Sequence, residues 1–166
     1  MCLAFETLAE LSTQRYCCVM IPPSVRLQGV PYGVLPPGIH WTTLKEADDR
    51  FGQTPYRAWL FEGVVAVSEA LRLAKCERMY LDGSFVTEKD RPNDFDGCWD
   101  PTNVVARLLD PVLLDFSNGR AAQKQKYRGE MFISDGLNTG IETFLEFFQR
   151  EKLTGAAKGI VGISLK

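Results

Sequence analysis

Histidine is almost missing from this chain: His40 stands alone among 166 residues, so no histidine-based triad can be built from it. Beside Trp41, His40 reads as a packing residue of a loop rather than a catalyst. Cysteine is sparse and odd in number, with five residues and no metal-ligand spacing. The adjacent Cys17-Cys18 do not suit a zinc knuckle, and the set reads as thiols of a reducing compartment. No apolar run is long enough to span a bilayer and no secretory signal is visible. The cytoplasm is therefore the expected location, with no membrane insertion. An excess of either charge is lacking too. The 19 Lys and Arg against 21 Asp and Glu leave a net charge of −2, which argues against capture of nucleic acid by a general basic surface. No internal repeat or low-complexity segment is present. What remains is ordinary: 45% hydrophobic and 24% charged residues, a composition and length suited to one globular domain with a real core.

Within that domain, 1–166, residues 1–40 read as an N-terminal extension and a proline-rich wrap. Leu3, Leu8 and Leu11 allow a weak amphipathic helix in 1–20. Pro22-Pro23, Pro31 and Pro36-Pro37-Gly38 then make 21–40 extended rather than helical or a central strand. Thr42 or Thr43 opens a short helix ending before Gly52. Thr54-Pro55 supplies an N-cap and first position for the main helix, to about Ala74. Its stripe of Leu60, Val64, Val67, Leu71 and Ala74 is core. A further helix is expected from about Gly119 to Arg128. Thr139 and Glu142 read as the capping box of a last helix turning Ile141, Phe144, Leu145 and Phe148 inward. A final strand covers 159–165.

The most informative stretch is Tyr80-Leu81-Asp82-Gly83-Ser84-Phe85, followed after a short spacer by Asp94-Phe95-Asp96. Residues 77–82 read as a strand that stops at glycine. Gly83 permits close approach of a ligand to the main chain, and Ser84 adds a hydroxyl and starts a turn whose N–H groups favour anions. On a strand, residues two apart share a face, so Asp94 and Asp96 project together. Two converging carboxylates call for a cation, and Mg²⁺ takes such oxygen ligands while keeping room for water and phosphate. An inert acidic loop is the competing reading. A third acid is expected at Asp115, within the apolar run Val112-Leu113-Leu114-Asp115-Phe116 read as a strand. Asp100-Pro101 and the helix expected over 103–109 lead into it. A strand-end salt bridge is the alternative for Asp115. The basic run Arg120, Lys124, Lys126, Tyr127 and Arg128 either reaches a triphosphate or an incoming strand, with Tyr127 as a stacking ring, or is a solvated helix face.

At these residues the chain resembles the nucleotidyltransferase superfamily that includes DNA polymerase beta, whose signature is Gly-Ser, a spacer, Asp-x-Asp and a third acid on a neighbouring strand. The strings YLDGSFVTEKDRPNDFDGCWD, LLDPVLLDF, NGRAAQKQKYRGEMF and KGIVGI also resemble a family of small bacterial proteins of unassigned function grouped with the minimal nucleotidyltransferases. Asp82 departs from the pattern, standing where an apolar residue is usual. The resemblance implies an α/β (α+β) nucleotidyltransferase fold, a small mixed twisted sheet with helices mainly on one face. It implies a triphosphate (NTP or dNTP) held at Gly83 and Ser84, and the basic run adds Arg120 and Lys124 as further nucleotide contacts. Mg²⁺ or Mn²⁺, as a pair of ions, would be bound by Asp94, Asp96 and Asp115. The expected reaction moves NMP to a hydroxyl of a protein, a tRNA end or an untemplated oligonucleotide. A toxin–antitoxin or phage-defence pair, with a cognate partner protein, is the implied setting. The alternative is a non-catalytic nucleotide- or partner-binding module, antitoxin-like, on the same fold.

Overall fold

A computed structural model describes residues 21–166, so the amphipathic helix expected over 1–20 lies outside the described residues. After a two-strand ladder of β1 (Val25–Arg26) and β2 (Gly33–Val34), the chain enters β3 (Gly38–Thr42). Helix α1 (Leu44–Phe51) follows from a Thr43 N-cap, whose hydroxyl and the Glu46 carboxylate form a reciprocal capping box. Helix α2 (Pro55–Leu73) starts from Thr54 with proline in its first turn. Its stripe lands where periodicity puts it: Leu60, Val64, Val67, Leu71 and Ala74 are all fully buried.

Strand β4 (Arg78–Asp82) pairs antiparallel with β5 (Phe95–Trp99). Helix α3 (Ala121–Tyr127) leads into β6 (Gly129–Ile133), which lies parallel to β5. The ladder of β7 (Leu137–Asn138) and β8 (Glu142–Thr143), the short α4 (Phe144–Phe148) and β9 (Gly159–Ser164) complete the chain. The main sheet has the order β3-β9-β4-β5-β6 and mixed direction. This establishes a mixed α/β architecture.

Strand alternation sorts side chains onto the two faces of this sheet. Met79, Leu81, Phe95, Trp99, Met131, Val161 and Ile163 join the large core built with α1 and α2. Tyr80, Cys98, Phe132 and Ile160 face the other way, where α4 supplies Phe144, Leu145 and Phe148. The helices thus lie mainly on one face, and the polar positions of β4, β5 and β6 share the less covered one.

Four expectations are corrected. Residues 103–109 form turns and a single 3-10 turn, Ala106–Leu108, not a helix. The run 112–116 is not a strand: Asp110 caps a 3-10 turn, Pro111–Leu114, by accepting from the Val112 N–H, while Leu114 and Phe116 are exposed. The place beside β5 is taken by β6, a strand not foreseen. The capping box of the last helix is Thr143 with Glu146, not Thr139 with Glu142. Thr139 and Gly140 both have positive φ in the turn joining β7 to β8, and Ile141 is 86% exposed rather than inward.

Candidate active site

At the end of β4 the chain turns through Gly83, with φ +74°. A side chain is excluded there twice over, because a Cβ would lie 2.1 Å from the Asp96 Oδ2. Ser84 opens a 3-10 turn, Ser84–Val86, behind it. Helix α2 holds the following loop through Arg57, a buried residue that sequence reasoning did not single out. Its guanidinium donates to the carbonyls of Phe51 at 2.6 Å, Lys89 at 2.8 Å, Thr87 at 3.4 Å and also Phe85. It also stacks over the Phe85 ring, 5.0 Å from the centroid.

Asp94 and Asp96 are half-buried while Phe95 between them is fully buried, the alternation expected of a strand start. Sheet register then assembles an acidic row that spacing alone could not show: Asp82 pairs with Asp96 across β4 and β5, and Asp96 with Glu130 across β5 and β6. Three adjacent strands each bring one carboxylate to one level of one face. Asp82 is buried and its carboxylate accepts from the Lys158 ammonium. Burial pushes the Asp82 carboxyl up, with Lys158 and the Gly83 N–H opposing. This explains how an acid is accommodated where the resembling family has an apolar residue. Glu130 is paired with Lys124, whose ammonium is also 3.7 Å from Asp94, and lies 4.0 Å from Arg120. Asp96, in the middle, has no cation in ion-pair contact among the described residues. Burial first, then Asp94, Asp82 and Glu130, push its carboxyl up to about 7. Burial likewise raises Asp94, against the pull of Lys124.

Asp115 follows a 3-10 turn and so is not carried on a strand of the sheet. Its carboxylate is tied to its own loop, accepting from the Ser117 N–H at 2.9 Å and the Ser117 hydroxyl at 2.6 Å. That hydrogen bonding holds it below the usual carboxylate range. Glu130, not Asp115, occupies the neighbouring strand. The basic run also separates. Arg120 and Lys124 turn to the acids rather than to phosphate, with the Arg120 guanidinium over the Phe132 ring at 3.8 Å. Lys126 and Tyr127 both donate to Asp110. Arg128 pairs with Glu62 at 2.6 Å and covers Trp59. Tyr127 is only 2% exposed, so no base can stack on it.

A cavity of about 540 Å³ opens beside the row. Gly83, Ser84, Asp82 and Asp96 form one wall, Lys89, Lys152 and Lys158 contribute cations, and Phe132, Phe147 and Phe148 give an aromatic side. Neither Arg120 nor Lys124 lines it. The residues missed from sequence were Glu130 and Lys158. Gly-Glu-Met-Phe-Ile carried a strand signal for the first, in β-favouring residues after a helix end. Lys158 gave none.

All four acids offer hard oxygen donors, the type that Mg²⁺ or Mn²⁺ selects, and the raised Asp96 carboxyl marks a place where positive charge is short. As the side chains stand, however, no group of three or more acidic, histidine or cysteine ligands is drawn together to hold an ion among the described residues. Lys124 occupies the space between Asp94 and Glu130 instead.

Fold and site together define a mixed α/β protein with a cross-strand carboxylate row beside a lysine-bearing cavity. The chain belongs to the family described as "Family of unknown function (DUF6932)", whose model matches residues 28–164. Comparison with the curated proteins and with the solved structures returned no match in either.

Proposed function

We propose that the protein is a metal-dependent nucleotidyltransferase on the corresponding fold, moving NMP from an NTP or dNTP to an acceptor hydroxyl and releasing pyrophosphate. The observation that carries the reading is the close approach of Gly83 and Asp96: the glycine turn and the second aspartate of the Asp-x-Asp pair line one cavity. Asp94, Asp96 and Glu130 would hold Mg²⁺ or Mn²⁺, a pair of ions in this class of chemistry, and the metal would neutralise phosphate charge and lower the pKa of the attacking hydroxyl. Glu130 takes the part expected of Asp115. Gly83 and Ser84 seat the triphosphate, and the partly exposed ring of Phe147 offers the base a surface. The acceptor hydroxyl gives its proton to solvent, its oxygen forms a bond to the α-phosphorus as the bond to pyrophosphate breaks, and cavity lysines meet the charge on the leaving group. A protein side chain, a tRNA end or an untemplated oligonucleotide fits the acceptor role. A cytoplasmic toxin–antitoxin or phage-defence pair fits the setting.

The test is incubation with each α-³²P-labelled NTP, Mg²⁺ or Mn²⁺, total tRNA and protein, followed by tracing of the label. Asp94→Ala, Asp96→Ala and Glu130→Gln each abolish transfer with an unchanged circular-dichroism spectrum, whereas Asp115→Asn keeps most of it. Transfer that survives both aspartate changes ends the assignment.

The lysine between Asp94 and Glu130 favours a second reading, a nucleotide- or partner-binding module without catalysis, since an internal ammonium already balances those acids. Such a module binds ATP but releases no pyrophosphate.

A further inference from the structure

Lys158 precedes β9 and is buried, with its ammonium donating to Asp82 in the wall of the cavity. A buried ion pair is seldom there for stability, because desolvating two charges offsets their attraction and an apolar pair packs as well or better. An ammonium has three donors, and Asp82 is the one acceptor Lys158 has among the described residues. The residue lines the cavity, and its remaining donors have no protein acceptor among the described residues. Other cations line the same space. Asp82 is balanced by Lys158 itself, and the Glu151 carboxylate is taken up by the N–H groups of Leu153 and Thr154 at 2.8 and 2.9 Å. Lys89 and Lys152 have no ion-pair partner among the described residues, and both line the same space. Gly83, next in chain to Asp82, opens the turn at which a phosphate chain would lie.

We propose that Lys158 is a polyphosphate-contacting residue: positioned by Asp82, its ammonium donates to terminal phosphate oxygens of a nucleoside triphosphate lying along Gly83-Ser84, and it remains with the pyrophosphate as that leaves. Asp82 is the positioning residue. The assignment rests on the nucleotidyltransfer reading and adds a buried cation to the wall of the cavity, which Lys124 does not line. It also separates two kinds of lysine in the site, one set against metal-binding acids and one set against substrate.

Calorimetric titration of the full chain with ATP and with inorganic tripolyphosphate, with and without Mg²⁺, tests this. Lys158→Met alone strands the buried Asp82 charge and lowers the melting temperature. The double variant Asp82→Asn/Lys158→Met removes the pair together and recovers the melting temperature. Recovery of stability without recovery of binding is the expected result, with affinity for both ligands down about 30-fold, the worth of one charge-assisted contact. Should the double variant not fold, the ¹³C signal of the Lys158 ε-methylene in the unaltered chain supplies the readout, and it moves on saturation with tripolyphosphate. A double variant that binds as tightly as the unaltered chain, or a Lys158 signal that stays in place, overturns the assignment. If the unaltered chain binds ATP but Lys158 proves indifferent, the nucleotidyltransfer reading stands without it; if the chain binds neither ligand, both fall.

Discussion

Asp96 keeps its charge with difficulty, being enclosed by protein and by three other acids with no cation in contact. Its carboxyl rises to about 7 in the folded chain, from an ordinary value of 3.8. A raised carboxyl favours folding while the proton is bound, so this contribution is fully present below about pH 4 and is lost as pH rises through about 7. Asp96→Asn copies the neutral form at every pH. It should therefore stabilise the chain at pH 8 and leave it nearly unchanged at pH 4, a difference on the order of 2–4 kcal/mol. Thermal melts at the two pH values measure this, and an equal effect at both contradicts the assigned cause. The neighbouring glycine is constrained by the same residue. Gly83→Ala must accept φ +74° and a Cβ at 2.1 Å from the Asp96 carboxylate. A loss of about 1–3 kcal/mol is expected, together with weaker Mg²⁺ binding as Asp96 is pushed aside, and both are read from melts with and without the ion.

The elements differ in how much of their behaviour is local. Helices α1 and α2 announce themselves by cap, proline and stripe, all within one turn or one face, and both form where those signals put them. The basic stretch over 120–128 looks like one functional face in sequence, yet its cations divide among four acids, Glu130, Asp94, Asp110 and Glu62. Partners from distant segments decided that. The loop after Gly83 is held the same way, by a side chain from another element. Arg57 of α2 ties four carbonyls of residues 51–89. Arg57→Met leaves these acceptors without their donor and should cost about 2–4 kcal/mol. It should also lower ATP affinity, because the loop carrying Lys89 and following Ser84 is no longer fixed. Calorimetry on the folded variant separates the two effects; unaltered affinity would mean that the loop holds its shape without the guanidinium.

Across the whole molecule, the large core joins α1 and α2 to one face of the sheet, and the acidic row lies on the other face of the same strands. Damage to the core should thus unfold the site with everything else rather than loosen it locally. Leu71→Ala, at a fully buried position of α2, should lower unfolding stability by about 2–5 kcal/mol. ATP binding should be kept at temperatures well below the new midpoint, and denaturant melts followed by two probes would show one transition; divergent midpoints would reveal an independent unit. The local sequence determined the starts of α1 and α2, the buried stripe, β4, β5 and β9, and the shared face of Asp94 and Asp96, because caps, glycine geometry and strand alternation act over a few residues. It did not determine which acid stands beside that pair, nor which lysines line the cavity. Asp115 was nearer in sequence, but its loop folds back on Ser117, while Glu130 arrives through a parallel strand and Lys158 from the residue just before β9. Those neighbours exist only once strand order and register are set, and both follow from long-range pairing that no short run of residues encodes.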